Sequence, residues 1–291
     1  MSSFSKPMTA WRDAEAALNE RLEMVARRQR EFPAVEQRLR RVVDMIARSG
    51  TLNLPNGQAP ALVHAPFEPS QALSFRLRGH VNEEFTGHRR VLQAIHDRGG
   101  DFEVTPEQIC RWHLDAMGPA VGHGGMFKQE ENVLPDRRAD GIWHGSTPTV
   151  AAAQAPAALA ELCAAFTRQW DKRRVPRILS VGAITLDFFQ VHPFTDGNGR
   201  TARLLLLALL LKLGHRALCF QSLEGAVSRN RQAYLMALHE SQAGWHQARH
   251  DFTPWLRFIL DLVAGAYERV GQRTEELESF AEGAETLRCE K

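Results

Sequence analysis

The sequence has 291 residues, 44% of them hydrophobic and 24% charged, an ordinary balance for one large domain with a sizeable buried core. Its 36 Lys and Arg against 34 Asp and Glu leave a net charge of +2, which marks out neither nucleic acid nor an anionic membrane as a partner. Cys110, Cys163, Cys219 and Cys289 show no zinc or redox-pair spacing and read as reduced thiols; the start, Met1 to Lys6, lacks a signal peptide's apolar stretch, and the run Leu204 to Leu211 is too short to span a bilayer. The expectation is therefore a cytoplasmic chain, with export by a machine that needs no cleaved signal left open.

From Thr9 to Ser49, Leu18, Leu22, Val25 and Ala26 recur at helical spacing among Arg and Glu, and Pro33 is expected to divide the stretch into two helices. Gly50 to Pro69, with four prolines and two glycines, reads as a linker. From Ser70 the pattern is again mostly helical. Thr105-Pro106-Glu107-Gln108 is a helix start, with Thr at the N-cap and Pro in the first turn, and that helix is expected to end near Met117. Gly118 to Thr149, rich in Gly and charge, reads as a loop or short β-hairpin. Helices are expected at about 156–170, 176–190, from just after Asn198 to Gly214, 229–243 and 254–273. The helix after Asn198 is apolar almost all round, as befits the centre of a bundle. The acidic tail from Thr274 is expected to fray. The architecture is mainly α with one small hairpin, organised as an N-terminal helical extension and linker (1–65), a main domain (66–270) and an acidic tail (271–291).

Chemistry concentrates between Val191 and Arg203. Gly197 and Gly199 flank Asn198 immediately before a helix, so the backbone can take unusual angles and approach a ligand closely. Amides at a helix N-terminus attract anions, which makes this loop a phosphate cradle. Arg200 and Arg203, three apart, can face one ligand and fork onto phosphate oxygens. Asp196 is an odd neighbour for bare phosphates and makes sense as a ligand of Mg²⁺. His192 titrates near neutrality and can accept a proton from an attacking group. Each part also has a plainer reading: Asp-Gly-Asn-Gly as a turn, His192 before Pro193 as structural, the two Arg as a solvated face. Cations at a helix start oppose the dipole, however, and point to a bound anion that compensates them. The twelve histidines include no pair at zinc spacing, and most are expected at the surface.

His192 to Arg203 resembles the signature of the Fic family, His-x-Phe-x-Asp/Glu-Gly-Asn-Gly-Arg-x-x-Arg, at every specified position. Leu186-Asp187-Phe188, Asn230-Arg231 with Tyr234, and Phe252-Thr253-Pro254-Trp255-Leu256 extend the similarity over about 69–269. The resemblance implies a Fic-type helical bundle with a β-hairpin flap, and a protein adenylyltransferase. Such an enzyme moves AMP from ATP to a Ser, Thr or Tyr hydroxyl of a target protein and releases pyrophosphate. It further implies His192 as general base, Phe194 as the loop's anchor and Asp196 as the Mg²⁺ ligand. Gly197, Asn198 and Gly199 correspond to the cradle for the α- and β-phosphates, Arg200 and Arg203 to the β- and γ-phosphate clamps. Asn230 and Tyr234 are candidates for the adenine pocket by resemblance alone. Gly199, where some relatives with kinase chemistry carry Ala, favours nucleotidyl transfer. Ile142-Trp143-His144-Gly145 resembles the flap that holds a target segment by strand addition, although Trp143 reads equally as a packing residue.

One departure concerns regulation. Many relatives carry an inhibitory helix, Ser/Thr-x-x-x-Glu-Gly/Asn, whose Glu pairs with the second arginine of the motif. The corresponding stretch here runs from Ser74 to Gly79 and places Arg78 at the Glu position, where it would repel Arg203. The restraint is then absent, or supplied by Glu83, Glu84 or the loosely similar stretch Ser279 to Gly283, whose spacing is one residue short, or by a separate antitoxin protein; alternatively Arg78 is an ordinary surface residue of a differently aligned helix. The resemblance leaves a homo-oligomer open and implies neither nucleic acid nor membrane as a partner. Two other functions stand beside AMP transfer. One is a related reaction at the same site, removal of AMP or transfer of another phosphate-containing group; Arg78 in place of the Glu that positions water argues against removal. The other is a non-catalytic nucleotide- or partner-binding module, which would need neither His192 nor Asp196.

Overall fold

The computed structural model describes residues 8–49, 81–118, 122–137, 143–172 and 175–289. The main-chain order is α1 (Met8–Ser49), α2 (Val81–Arg98), α3 (Pro106–Met117), β1 (Val133–Arg137), β2 (Trp143–Pro148), α4 (Ala155–Lys172), α5 (Arg177–Val191), α6 (Asn198–Lys212), α7 (Leu223–Arg229), α8 (Arg231–Gln242) and α9 (Thr253–Cys289). The fold is mainly α, as expected. None of the described helices is long and apolar enough to cross a membrane.

The centre is the antecedent helix α5 and its successor α6. Every residue of α5 after Arg177 is buried, and α6 buries all its leucines from Leu204 to Leu211. Gly182 lets α9 approach α5 closely: a Cβ there would lie 2.1 Å from Leu256 Cδ2. Trp255 Nε1 donates to the Gly182 carbonyl, and Trp245 Nε1 to buried Asp187, so the polar groups of the central helix are answered from the surrounding elements. The start of α3 follows the sequence closely, with Thr105 Oγ1 accepting from Gln108 N at 3.2 Å.

Two expectations fail at the chain ends, for one reason. Pro33 does not divide α1, which runs unbroken through it, and α9 does not fray at Thr274 but continues to Cys289. Arg21, Arg28 and Arg38 of α1 pair with Asp261, Glu268 and Glu278 of α9. The constant offset of 240 residues means that the two helices run parallel. Leu18, Val25, Phe32 and Leu39 recur every seventh residue along the buried seam. An interior proline costs about 3 kcal/mol, whereas burying each of these side chains returns about 1.5–3 kcal/mol, so packing on both sides of Pro33 carries the helix through. The far end is held the same way: Thr274 is buried, its hydroxyl donates to the Val270 carbonyl, and Ala281 packs on Val42.

Three further features matter for the site. Leu223–Arg229 is a separate helix, capped by Ser222 Oγ accepting from Gly225 N at 3.0 Å. Within the segment 118–149, the described residues include two short strands, as the hairpin reading expects. β1 and β2 pair antiparallel from Val133↔Pro148 to Arg137↔Trp143, with an irregularity between Asp136 and Arg137. Among the described residues the histidines are not mainly at the surface: His88, His113, His215 and His250 are buried, His96, His123, His192 and His239 are half-buried, and His246 is exposed.

Candidate active site

The loop from His192 to Gly197 joins the two central helices, and its backbone is held from several directions. His192 caps α5 in the left-handed region, φ 44° and ψ 59°, with its N–H bonded to the Phe188 carbonyl. A non-glycine residue there, directly before a proline, is strained and persists only where its surroundings fix it. Lys128 N donates to the Pro193 carbonyl at 2.9 Å, and Phe127 and Phe194 form an antiparallel bridge. The Asn198 side chain closes the loop from inside: its Oδ1 accepts from Phe194 N at 3.0 Å and its Nδ2 donates to Phe194 O at 2.7 Å. Asn132 Nδ2 adds a bond to the same carbonyl at 3.1 Å. Phe194 is fully buried beneath these bonds, stacked on His113 with ring centroids 3.8 Å apart.

Gly197 follows with φ 76°, and a Cβ there would meet Met117 Sδ at 2.5 Å and His113 Nε2 at 2.9 Å. Both backbone angle and space therefore demand glycine. Gly199 differs. Its φ is not in the left-handed region, and an added Cβ would meet only Arg203 Nη1, at 3.4 Å. The fold does not require a glycine at position 199. Asp196 Oδ1 accepts from Gly197 N at 2.7 Å, which orients its carboxylate beside the opening of α6. The first amides of α6 have no intrahelical partner and lie at the positive end of its dipole.

Burial pushes the His192 imidazole down to about 4, with the Lys128 charge acting in the same direction and the Phe189 carbonyl and Asp196 opposing. The ring is neutral at pH 7. Its Nδ1 lies 3.2 Å from the Phe189 carbonyl, which can only accept, so Nδ1 carries the proton and Nε2 carries the lone pair. That is the tautomer a base needs. Lys128 is itself buried, with Nζ bonded to Asn132 Oδ1 and Thr149 Oγ1 at 2.7 Å each, and desolvation lowers its pKa. These bonds tie the base of the hairpin to the loop.

Arg203 Nε donates to Glu224 Oε2 at 2.6 Å, and His88 Nε2 stands 3.6 Å from Glu224 Oε1. Burial works against the Glu224 carboxylate, but the Arg203 charge and the His88 contact outweigh it and hold the carboxyl at about 2. Glu224 and Tyr234 together raise Arg203 above its ordinary range against the cost of burial. Tyr234 is buried among Phe189, Trp255 and Phe258, with Arg203 as its polar partner, whereas Asn230 is exposed at the junction of α7 and α8.

The loop thus brings His192, Asp196, Gly197, Asn198, Gly199, Arg200 and Arg203 into one contiguous element. The Asn198 side chain is committed to the loop itself, so only its backbone amide faces outward. Trp143, His144 and Gly145 belong to β2, while Ile142 lies outside the described residues, as do Ser74, Arg78 and Gly79. Ser279 to Gly283 lies on α9, where Ala281 packs on α1. Sequence reading missed His113, Lys128, Asn132 and Glu224. Only Glu224 had a local signal, the capping Ser222 two residues before it; the others act through contacts distant in sequence.

Residues 103–210 match the Fic/DOC family. The chain carries a Fic/DOC domain. The matched segment of this domain runs from before α3 through most of α6 and includes His113, the hairpin and the whole loop; Glu224 and Tyr234 lie beyond it. The Drosophila erecta protein named protein adenylyltransferase Fic is 30% identical over 164 residues, covering 55% of this chain and 28% of that one. A probable protein adenylyltransferase of Aquifex aeolicus is 42% identical over 57 residues, 20% of this chain and 15% of its own length. The chain therefore spans under a third of either relative. In fold, the chain is similar to a Fic domain-containing signaling protein from Bacteroides thetaiotaomicron (TM-score 0.59, 14% identity, 84% of this chain and 96% of that one). It is also similar to a Fic family protein from Desulfovibrio desulfuricans (TM-score 0.54, 17% identity, 81% and 74%).

Proposed function

We propose that this protein transfers AMP from ATP to a hydroxyl side chain of a target protein. The observation that carries the reading is the wiring of His192: a neutral imidazole with its proton on Nδ1 and its lone pair on Nε2, on the same loop as the anion-binding start of α6. A binding module has no need of a base held in one tautomer inside a strained turn. The relatives named protein adenylyltransferases support the same class of reaction.

In the reaction, the target hydroxyl oxygen bonds to the α-phosphorus of ATP. The bond from that phosphorus to the bridging oxygen breaks, and pyrophosphate leaves with the electron pair. The hydroxyl proton passes to His192 Nε2. The amides of Asn198 to Arg200 receive the α- and β-phosphates, and Arg200 and Arg203 hold the terminal ones. Fixed donors of this kind stabilise developing charge without having to reorganise.

The donor set suits Mg²⁺. Among the described residues no three His, Cys, Asp or Glu converge, so a cation here would be held by the Asp196 carboxylate with phosphate oxygens and water, the ligands Mg²⁺ favours. When bound, it would neutralise phosphate charge. Strands β1 and β2, anchored at Lys128, Asn132 and Thr149, would align an extended target segment by strand addition. The test is to incubate the protein with ATP labelled at the α-phosphate and separately at the γ-phosphate, in the presence of cell lysate. Protein labelled from the α-position alone is expected. Label from the γ-position would make the enzyme a kinase, and label from neither would remove the proposal.

A further inference from the structure

His113 lies 79 residues from His192 in sequence, yet its ring packs directly against the loop. It is fully buried on α3 and makes three contacts. Its ring stacks on Phe194 at 3.8 Å and 6°. Its Nδ1 accepts from Gly125 N at 2.8 Å. Its Nε2 is 2.9 Å from the Asp196 carbonyl. A backbone N–H can only donate and a carbonyl can only accept, so both bonds exist together in one form alone, the neutral ring with its proton on Nε2.

That proton fixes one peptide plane. The carbonyl of the Asp196–Gly197 peptide is held by His113, and the N–H of the same peptide is held by Asp196 Oδ1 at 2.7 Å. The peptide is planar, so pinning both ends sets its rotation and with it the direction of the Asp196 carboxylate. The ring also closes the space beside Gly197. We infer that His113 is a positioning residue for adenylyl transfer: its Nε2–H holds the Asp196–Gly197 peptide and so aims the Asp196 carboxylate and the first amides of α6 at the phosphates. This rests on the reading of the loop as an AMP-transfer site.

Three variants separate the contacts. His113→Gln can restore a donor near the Nε2 position, His113→Asn only an acceptor near Nδ1, and His113→Phe only the stacked ring. His113→Phe and His113→Asn are expected to lose about 10–100-fold in kcat for AMP transfer. His113→Gln is expected to recover much of that loss, and amide hydrogen exchange at Gly197 to Gly199 should quicken in the same order. Wild-type transfer by His113→Phe, or recovery by Asn equal to that by Gln, would overturn the inference. Should the variants not fold, nitrogen-15 NMR of the wild-type ring decides: a proton on Nε2 supports the assignment and a proton on Nδ1 overturns it. If the wild type transfers no AMP, the functional reading fails by itself, and exchange rates and tautomer still judge the role of His113.

Discussion

Glu224 holds Arg203 by its Nε, at 2.6 Å, and leaves Arg203 Nη1 beside Gly199 at the opening of α6. The carboxylate thus grips the guanidinium from behind and turns its outer edge toward the cradle. Arg203 has an internal acidic partner on α7, whichever residue occupies the position of Arg78.

Replacing Glu224 by Gln removes the charge but keeps the shape. Loss of a buried charge-assisted bond is expected to cost about 1–3 kcal/mol of stability. Arg203 would turn less firmly to the phosphates, so ATP affinity is expected to fall about tenfold, consistent with about 1.4 kcal/mol. Calorimetric titration with ATP checks it. Tighter binding by Glu224→Gln would instead make Glu224 a competitor of the terminal phosphate.

Removing the base should separate binding from chemistry. His192→Ala is expected to lower transfer by about 10²–10⁴-fold while retaining ATP, because binding rests on the amides and arginines of α6. Quench-flow measurement of transfer, alongside ATP titration, distinguishes the two steps; unchanged transfer rules out His192 as the base.

Asp196→Asn is a clean probe of the metal, since its side-chain oxygen can still accept from Gly197 N. The loop should keep its geometry while Mg²⁺ affinity drops, and raising Mg²⁺ should restore part of the activity. Full activity of the unmodified protein in excess chelator would contradict a metal role.

The two glycines of the motif should behave differently. Gly197→Ala meets both a left-handed backbone and the crowding of Met117 and His113, so a loss of about 1–3 kcal/mol is expected from overpacking and strain. Gly199→Ala meets neither and should unfold at nearly the wild-type denaturant concentration, yet transfer less AMP because its methyl group stands where phosphate approaches. Equal stability of the two variants in urea would refute the distinction.

Acid stability should depend on His215. The ring is buried against Tyr267 Oη at 2.9 Å, and burial lowers its pKa from 6.5 to about 4. The folded state therefore binds this proton less readily than the unfolded state. Its contribution is complete above pH 6.5 and is lost as pH falls toward 4, about 3 kcal/mol in all. His215→Asn, which retains a polar partner for Tyr267, should lose that much less stability between pH 7 and pH 4 in urea titrations. Identical losses would assign the acid sensitivity to other groups.

The loop from His192 to Arg203 was legible because its chemistry is written in adjacent residues. Glycine at a left-handed turn, amides opening a helix and arginines three apart are local facts, and local spacing determines them. The helix beginning at Thr105 and the buried run after Asn198 were legible for the same reason. Pro33 and the acidic tail were misread because local propensity favours a break and fraying. A parallel seam between helices 240 residues apart in sequence outweighs both. Only the tertiary structure showed that Asn198 turns its side chain inward, that Tyr234 is buried against Arg203, that Glu224 grips Arg203 and that His113 pins the Asp196–Gly197 peptide. Those partners are set by where helices pack, and packing depends on the summed burial of many distant side chains. The sequence by itself determined which atoms are available for the chemistry; the fold decided which of them are held in place and which are already committed to one another.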